Sequence, residues 1–289
     1  MSRVRWLVTG AGGQLGRSLR ATSPGGDIEW VCRSRRELDI ADPAAVEQVL
    51  EEVRPEVVIN AAAFTQVDLC EADRESAWRA NARGPEVLAG LCAGRALLVH
   101  VSTEYVFSGE ACRPIPEDAA LEPRTVYGQS KAAGERAVAD SGCDHLIVRT
   151  QWLFGPGRNF VQTMLAAGRG GQPLRVVEDQ LGRPTSTAAL AEGLVVAIGS
   201  GLRGTVHIAC EGVATWYDFT RQIISGGVRR GLTKDVPIEP VDTAAFPRPA
   251  PRPAYGVLDL ARARAHGVRL PHWTSALEAY LDEEARSHA

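Results

Sequence analysis

The sequence predicts an α/β fold, a doubly wound parallel sheet with a smaller C-terminal lobe. Apolar runs alternate with stretches of helical spacing through the first half of the 289 residues, the pattern of a parallel sheet covered on both faces. The runs are nearly continuous in hydrophobicity rather than alternating, as burial from two sides requires. Their carboxyl ends, reading TG, NAAAFT, STEY and RTQW, gather polar residues where ligands of such sheets sit.

The first strand is VRWLVTG (4–10), and it runs straight into a helix over GQLGRSLRA. The junction holds Gly10, Gly13 and Gly16 at GxxGxxG spacing, which permits a tight turn and lets backbone amides approach a pyrophosphate. Chance alone gives ~0.3 such triplets in a chain this rich in glycine, so the argument rests on its place between strand and helix. The second strand, DIEWVC (27–32), leads into Arg33-Ser34-Arg35-Arg36. An acidic residue there suits the ribose hydroxyls of NAD, whereas arginine suits a 2′-phosphate, so Arg33 favours NADPH over NADH, with NADH kept open. Asp39 and Ile40 are placed to reach the adenine. After a helix over PAAVEQVLEEV comes the third strand, EVVINAA (56–62), whose small Ala61, Ala62 and Ala63 let a cofactor lie close. A helix over ESAWRANARGPEVLAGL precedes the fourth strand, LLVHVST (97–103); a helix over SKAAGERAVADS precedes the fifth, HLIVRT (145–150). Residues 1–150 therefore read as a dinucleotide-binding, Rossmann-like unit, joined by parts of 185–208 and 250–260. Residues 151–289 read mainly as the substrate lobe. Proline-rich FPRPAPRP (246–253) reads as a stiff surface connection.

Composition excludes several classes. A formal charge of −3 gives no reason to expect nucleic acid or an anionic membrane as partner. No apolar run has the length of a membrane span, and the six scattered cysteines lack metal-ligand spacing, so reduced thiols, a cytoplasmic location and no metal are expected.

The chain has thirty arginines and two lysines, and one of the two, Lys131, follows Tyr127 by four residues at the start of a helix. Both side chains then share one face. Chance gives a YxxxK only ~0.03 times with this composition. A phenol can hand a proton to an alkoxide as hydride reaches a carbonyl carbon, and a nearby ammonium lowers its pKa. Lysine also reaches ribose hydroxyls as a compact donor, which a planar guanidinium does poorly. At the end of the fourth strand Thr103, with Ser102 behind it, could hydrogen-bond the reacting oxygen.

TGxxGxxG, NAAA, STEY and YGQSK together resemble the extended short-chain dehydrogenase/reductase family. RELDIAD, VVINAAAFTQVDLCEAD, VHVSTEYVFSG, EPRTVYGQSKAAGE, RTQWLFGPGRNFVQTML, EDQLGRPT and RPAYGVLDLARA narrow the likeness to dTDP-4-dehydrorhamnose reductases and related deoxysugar 4-ketoreductases. The resemblance implies reduction of the C4 ketone of a dTDP-4-keto-6-deoxyhexose, with Thr103, Tyr127 and Lys131 catalytic. It places Gly13, Gln14, Leu15, Asp39, Ile40, Ala63, Phe64 and Thr65 on the dinucleotide. Thr103, Glu104 and Trp152 would face the sugar nucleotide, with Asn159, Phe160 and Arg183 as looser candidates and Arg183 expected on the diphosphate. Asn81 reads either as a water ligand in a kinked helix or as an ordinary polar face. Two positions depart from the family pattern. Glu104 stands where STD is usual, and Ser18 stands where some members place a glutamate that bridges a dimer through Mg²⁺, leaving a homodimer open without that bridge. The rival readings are a sugar-nucleotide epimerase or dehydratase and a non-catalytic subunit like that of methionine adenosyltransferase. The first lacks an Asp-Glu pair after the threonine; the second has no chemical need of Thr-Tyr-Lys.

Overall fold

A computed structural model describes residues 4–22 and 25–288. The first half runs β1 (Val4–Thr9), α1 (Gln14–Ala21), β2 (Ile28–Arg33), α2 (Pro43–Val53), β3 (Val57–Asn60), α3 (Val67–Ala72), α4 (Arg74–Trp78), α5 (Gly84–Cys92), β4 (Leu97–Thr103), α6 (Val126–Asp140) and β5 (His145–Thr150). The second half runs β6 (Leu153–Phe154), α7 (Phe160–Arg169), β7 (Leu174–Val177), β8 (Leu181–Gly182), β9 (Thr185–Ser186), α8 (Thr187–Gly199), β10 (Gly204–His207), β11 (Ala214–Thr215), α9 (Trp216–Arg229), β12 (Ile238–Val241), α10 (Ala261–Ala265) and α11 (Trp273–His288).

Six parallel strands make the main sheet in the order β10-β5-β4-β3-β1-β2. Successive side chains point to opposite faces, and both faces are covered. Trp6, Val8, Ile59, Val99 and Val148 pack with Leu19, Leu190 and Leu194 on one side. Leu7, Val58, Leu98 and Ile147 pack with Leu50 and Leu88 on the other. Each such side chain contributes about 1.5–3 kcal/mol of burial, which is why these runs tolerate no polar alternation. The order reverses between β1 and β3-β4, and the crevice at that switch point opens toward the carboxyl ends of the strands.

Local chemistry sets the helix boundaries. Asp42 caps α2 by accepting the amides of Ala44 and Ala45, with Pro43 in the first turn. Helix α6 begins at Val126, earlier than its apolar spacing suggests, because Thr125 accepts the Gly128 amide at 3.0 Å. The helix expected over 75–91 is interrupted. Residues Arg79–Arg83 form a π-helical turn between α4 and α5, with Pro85 just beyond it.

The second lobe sits over the carboxyl end of the sheet. Its core is aromatic, with Phe154, Phe219, Trp273 and Tyr280 in mutual contact. β7 pairs with β12 beside it. Among the described residues no helix is long and apolar enough to cross a membrane.

Candidate active site

A cavity of about 990 Å³ lies between the sheet ends and the second lobe. One wall is the glycine turn. Gly10 takes φ +69, and a Cβ there would lie 2.5 Å from the Ala62 nitrogen, so strands β1 and β3 close on each other only around a glycine. Gly16 lies as close to the Gly10 carbonyl. Helix α1 starts at this turn with Gly13 as its cap, no side chain covering its amides and no acidic residue in its first turn. Gly13, Gln14 and Leu15 line the cavity, so the open helix end faces it, an arrangement suited to a phosphate.

The middle of the cavity is built by β4 and α6. Thr103, Glu104, Tyr127 and Lys131 all line it and are all buried. Tyr127 is seated because Gly128 lets α6 meet the loop after β4: a Cβ at Gly128 would lie 2.2 Å from the Tyr105 carbonyl oxygen. The Tyr105 and Tyr127 rings meet edge to face at 5.4 Å. Asn81 ties the same helix to the cofactor wall. Its Oδ1 accepts the Phe64 amide at 2.8 Å, and its Nδ2 donates to the Phe64 carbonyl at 3.0 Å and to Ser130 Oγ at 3.1 Å. The π turn aims this amide inward, and Gly134 lets α6 lie against the Asn81 carbonyl. Asn81 is thus a buried brace rather than a plain surface polar residue.

Electrostatics assign proton positions. Burial pushes the Tyr127 phenol well above its ordinary value, helped by the Glu104 carboxyl, while the Thr103 hydroxyl pulls it down. Burial pushes Glu104 up to about 7. Lys131 is brought down to about 8 by burial, against the pull of Glu135. Its Nζ donates to the Val101 carbonyl at 2.7 Å and lies 3.3 Å from His100 Nε2. The expected lowering of the phenol by an ammonium is therefore not what governs Tyr127 here, because the amine is turned to β4 and desolvation dominates. A raised value favours the protonated phenol, the state required of an acid.

The far wall belongs to the second lobe. Trp152 adopts φ +47, a left-handed conformation rarely taken by a bulky residue, and stacks on Trp216 at 3.7 Å with the rings 12° apart. Gly182 lies against the Trp152 ring, leaving no room for a side chain there. Phe160 tilts against Trp216 at 4.4 Å and also lines the cavity. The segment 246–253 is more than the surface connection that its prolines suggested. Phe246, Arg248 and Arg252 line the cavity, and Arg252 is clamped to Asp68 of α3 by hydrogen bonds of 2.9 and 2.7 Å. Four buried polar atoms without a hydrogen-bond partner among the described residues, Gln14 Oε1, Ser102 Oγ, Thr150 Oγ1 and Gln151 Nε2, belong to residues lining this cavity. Buried groups of this kind are costly unless a ligand or water satisfies them.

Several expected site residues are employed elsewhere. Asn159 caps α7, accepting from Gln162 and donating to the Gly155 and Gly157 carbonyls, so its amide is consumed inside the lobe. Arg183 is buried and donates to the Leu258 and Gly212 carbonyls at 3.1 and 2.7 Å, which ties the lobe together and keeps it off the cavity wall. Asp39 caps Ala41 and pairs with Arg79 at 2.7 Å, while the Ile40 side chain packs under Gly84. Arg33 rests on Glu52 at 3.3 Å, an exposed pair worth under ~1 kcal/mol and cheaply exchanged. Ala61, Ala63 and Thr65 line the cavity; Ala62 and Phe64 support it from behind. Ser18 is enclosed against α8, its hydroxyl 2.7 Å from that of Thr187. Trp216, Gln151, Gln180, Arg175, Arg248 and Arg252 are cavity residues that the sequence reading missed. The arginines in FPRPAPRP were the one available signal for the last two.

The family model described as "RmlD substrate binding domain" matches residues 4–286. The chain belongs to this family. A probable dTDP-4,6-dihydroxy-2-methyloxan-3-one 4-ketoreductase of Streptomyces antibioticus is 42% identical, covering 99% of this chain and 97% of that protein. The dTDP-4-dehydrorhamnose reductase of Mycobacterium tuberculosis strain H37Rv is 40% identical over 98% of this chain and 94% of its own. Among solved structures, the dTDP-4-dehydrorhamnose reductase of Bacillus anthracis, crystallised in complex with NADP, superposes with a TM-score of 0.92. It is 35% identical and covers 98% of this chain and all of that one.

Proposed function

We propose that this protein reduces the C4 ketone of a dTDP-4-keto-6-deoxyhexose in deoxysugar biosynthesis, with NADPH as donor. The observation that carries the reading is the convergence of Thr103, Tyr127 and Lys131 in one cavity between an open helix end and an aromatic, arginine-bearing wall. The relatives' printed activities are of this kind. The residues at the glycine turn fit a dinucleotide, since free amides, close-packed glycines and the unpartnered Gln14 Oε1 meet there.

When bound, the cofactor supplies the hydride. Tyr127 then gives its phenolic proton to the oxygen that becomes the C4 hydroxyl. Thr103, whose one hydroxyl proton goes to Glu104 here, turns that proton to the reacting oxygen when the sugar is bound. Lys131 stands beside Tyr127 to meet the ribose hydroxyls. Glu104 contacts the sugar, its extra methylene relative to aspartate moving the carboxyl deeper. Trp152 and Phe160 pack on the nucleotide end. The diphosphate role expected of Arg183 passes to Arg175, Arg248 and Arg252, whose side chains border the cavity. Residues 1–150, with α8 and β10 returning to them, carry the dinucleotide; most of 151–289 carries the sugar nucleotide.

The test is NADPH oxidation with a panel of dTDP-4-keto-6-deoxyhexoses, with NADH run in parallel and products identified by NMR. Turnover to a C4 alcohol with NADPH preferred is expected. No oxidation of either cofactor with any member of the panel would reject the reading.

A further inference from the structure

We propose that Gln151 is a specificity-determining residue that donates a hydrogen bond to the oxygen on C3 of the hexose, while Glu104 beside it accepts from the same hydroxyl. This deepens the proposed reduction at C4 and rests on it. Gln151 is the first residue beyond β5, and only 2% of its surface is exposed. Its Oε1 accepts the Arg183 amide at 3.0 Å. A backbone N–H can only donate, so the side-chain amide has one possible orientation, with Nε2 as its donor end. That Nε2 is buried without a hydrogen-bond partner among the described residues, and Gln151 lines the cavity.

The anchor behind Gln151 holds it in place. Arg183 is buried, and its guanidinium donates to the Leu258 and Gly212 carbonyls at 3.1 and 2.7 Å. Turning Gln151 away from the cavity would strand the buried Arg183 amide, so the donor stays presented. A buried donor kept in this state calls for an acceptor from a ligand or a water.

The sheet places this donor next to the reacting carbon. Thr103 and Thr150 are register partners at the ends of β4 and β5, and the residues that follow them are Glu104 and Gln151. A Cβ on Gly256 would lie 3.2 Å from Glu104 Cγ and 3.6 Å from Gln151 Oε1, so both side chains press on one glycine. Thr103 donates to Glu104 Oε2 at 2.7 Å, and Glu104 loses that donor once the threonine turns to the C4 oxygen. A sugar hydroxyl can replace it, and the same hydroxyl oxygen can accept from Gln151 Nε2. Of the two carbons bonded to C4 in a 4-keto-6-deoxyhexose, C5 carries a methyl group and the ring oxygen, and C3 carries a hydroxyl. Glu104 and Gln151 thereby tell the two sides of the ketone apart.

The test crosses two ligands with two proteins. The whole enzyme, loaded with NADP⁺ so that the ketone is not reduced, is titrated by calorimetry with dTDP-4-keto-6-deoxyglucose and with its 3-deoxy counterpart. The wild type should bind the 3-deoxy sugar at least about tenfold more weakly, because the analogue leaves buried polar groups unpaired. Gln151→Met has similar length and no donor. It should lose about tenfold or more for the sugar with the 3-hydroxyl and at most about twofold for the 3-deoxy sugar. Equal affinity of the wild type for the two sugars would overturn the proposal. So would a loss in the variant that is the same for both, which is what a merely structural role gives. Should Gln151→Met not fold, Gln151→Glu keeps the acceptor for the Arg183 amide and withdraws the donor, and the wild-type comparison stands in any case. None of these readouts needs turnover. Selective binding by a protein that reduces neither sugar would sink the reductase reading alone. Reduction at C4 with no preference for the 3-hydroxyl would sink this inference alone, and failure to bind either sugar would sink both.

Discussion

Glu104 is buried beside Thr103, which donates to its Oε2 at 2.7 Å, and no cation pairs with it among the described residues. Its folded pKa of about 7 lies above the ordinary value because desolvation outweighs that hydrogen bond. The native state thus holds this proton more tightly than the unfolded chain, and stability falls as pH rises from about 4.3 to about 7, by at most about 4 kcal/mol. Chemical denaturation of the wild type and Glu104→Gln at pH 5 and pH 8 checks this. The wild type should lose stability relative to the variant at the higher pH, and parallel curves would contradict the assignment. Tyr127→Phe removes the proton donor while leaving the packing with Tyr105. A fall in kcat of about 10²–10⁴-fold with little change in KM is expected, read by steady-state NADPH oxidation.

Helix α6 must hold Tyr127 and Lys131 against β4, and a buried ion pair joins its far end to the sheet. Arg149 and Glu135 have side chains only 5% and 4% exposed, and Arg149 also donates to the Glu117 carbonyl and lies over the Phe107 ring. Removing one partner strands the other charge, so Glu135→Gln should cost about 3–5 kcal/mol in urea unfolding. Much of this element scale was legible in the sequence. The five strands of the first half were readable to within about two residues because burial on both faces makes them continuously apolar. The Tyr127 and Lys131 pair was readable because a lysine is rare here. The π turn at Arg79–Arg83 was not, since it goes with a contact between Asn81 and the distant Phe64 backbone that residue spacing does not reveal. The partners of Asn159 and Arg183 were not legible either. Both residue types suit ligands, but Asn159 is used locally, as a helix cap that donates to the Gly155 and Gly157 carbonyls, and Arg183 is used by the distant carbonyls of Gly212 and Leu258.

At the scale of the molecule, the cavity is closed by a strap from the second lobe that is pinned to the first. Asp68 on α3 accepts from both Arg252 nitrogens and from the Ala250 amide. Prolines keep the strap extended, so one carboxylate can hold its whole length. Asp68→Ala should raise the KM for the sugar nucleotide severalfold while kcat stays within about twofold, because the clamp positions Arg248 and Arg252 without touching the reacting atoms. Equal KM values would show that the strap needs no latch. The reaction turns on where the hydride goes. Incubation with NADPH deuterated at the transferred position of its nicotinamide ring, followed by NMR of the product, tests it most directly. Deuterium on C4 of the deoxyhexose is the expected result; a product with deuterium elsewhere, or cofactor left unoxidised, would contradict it.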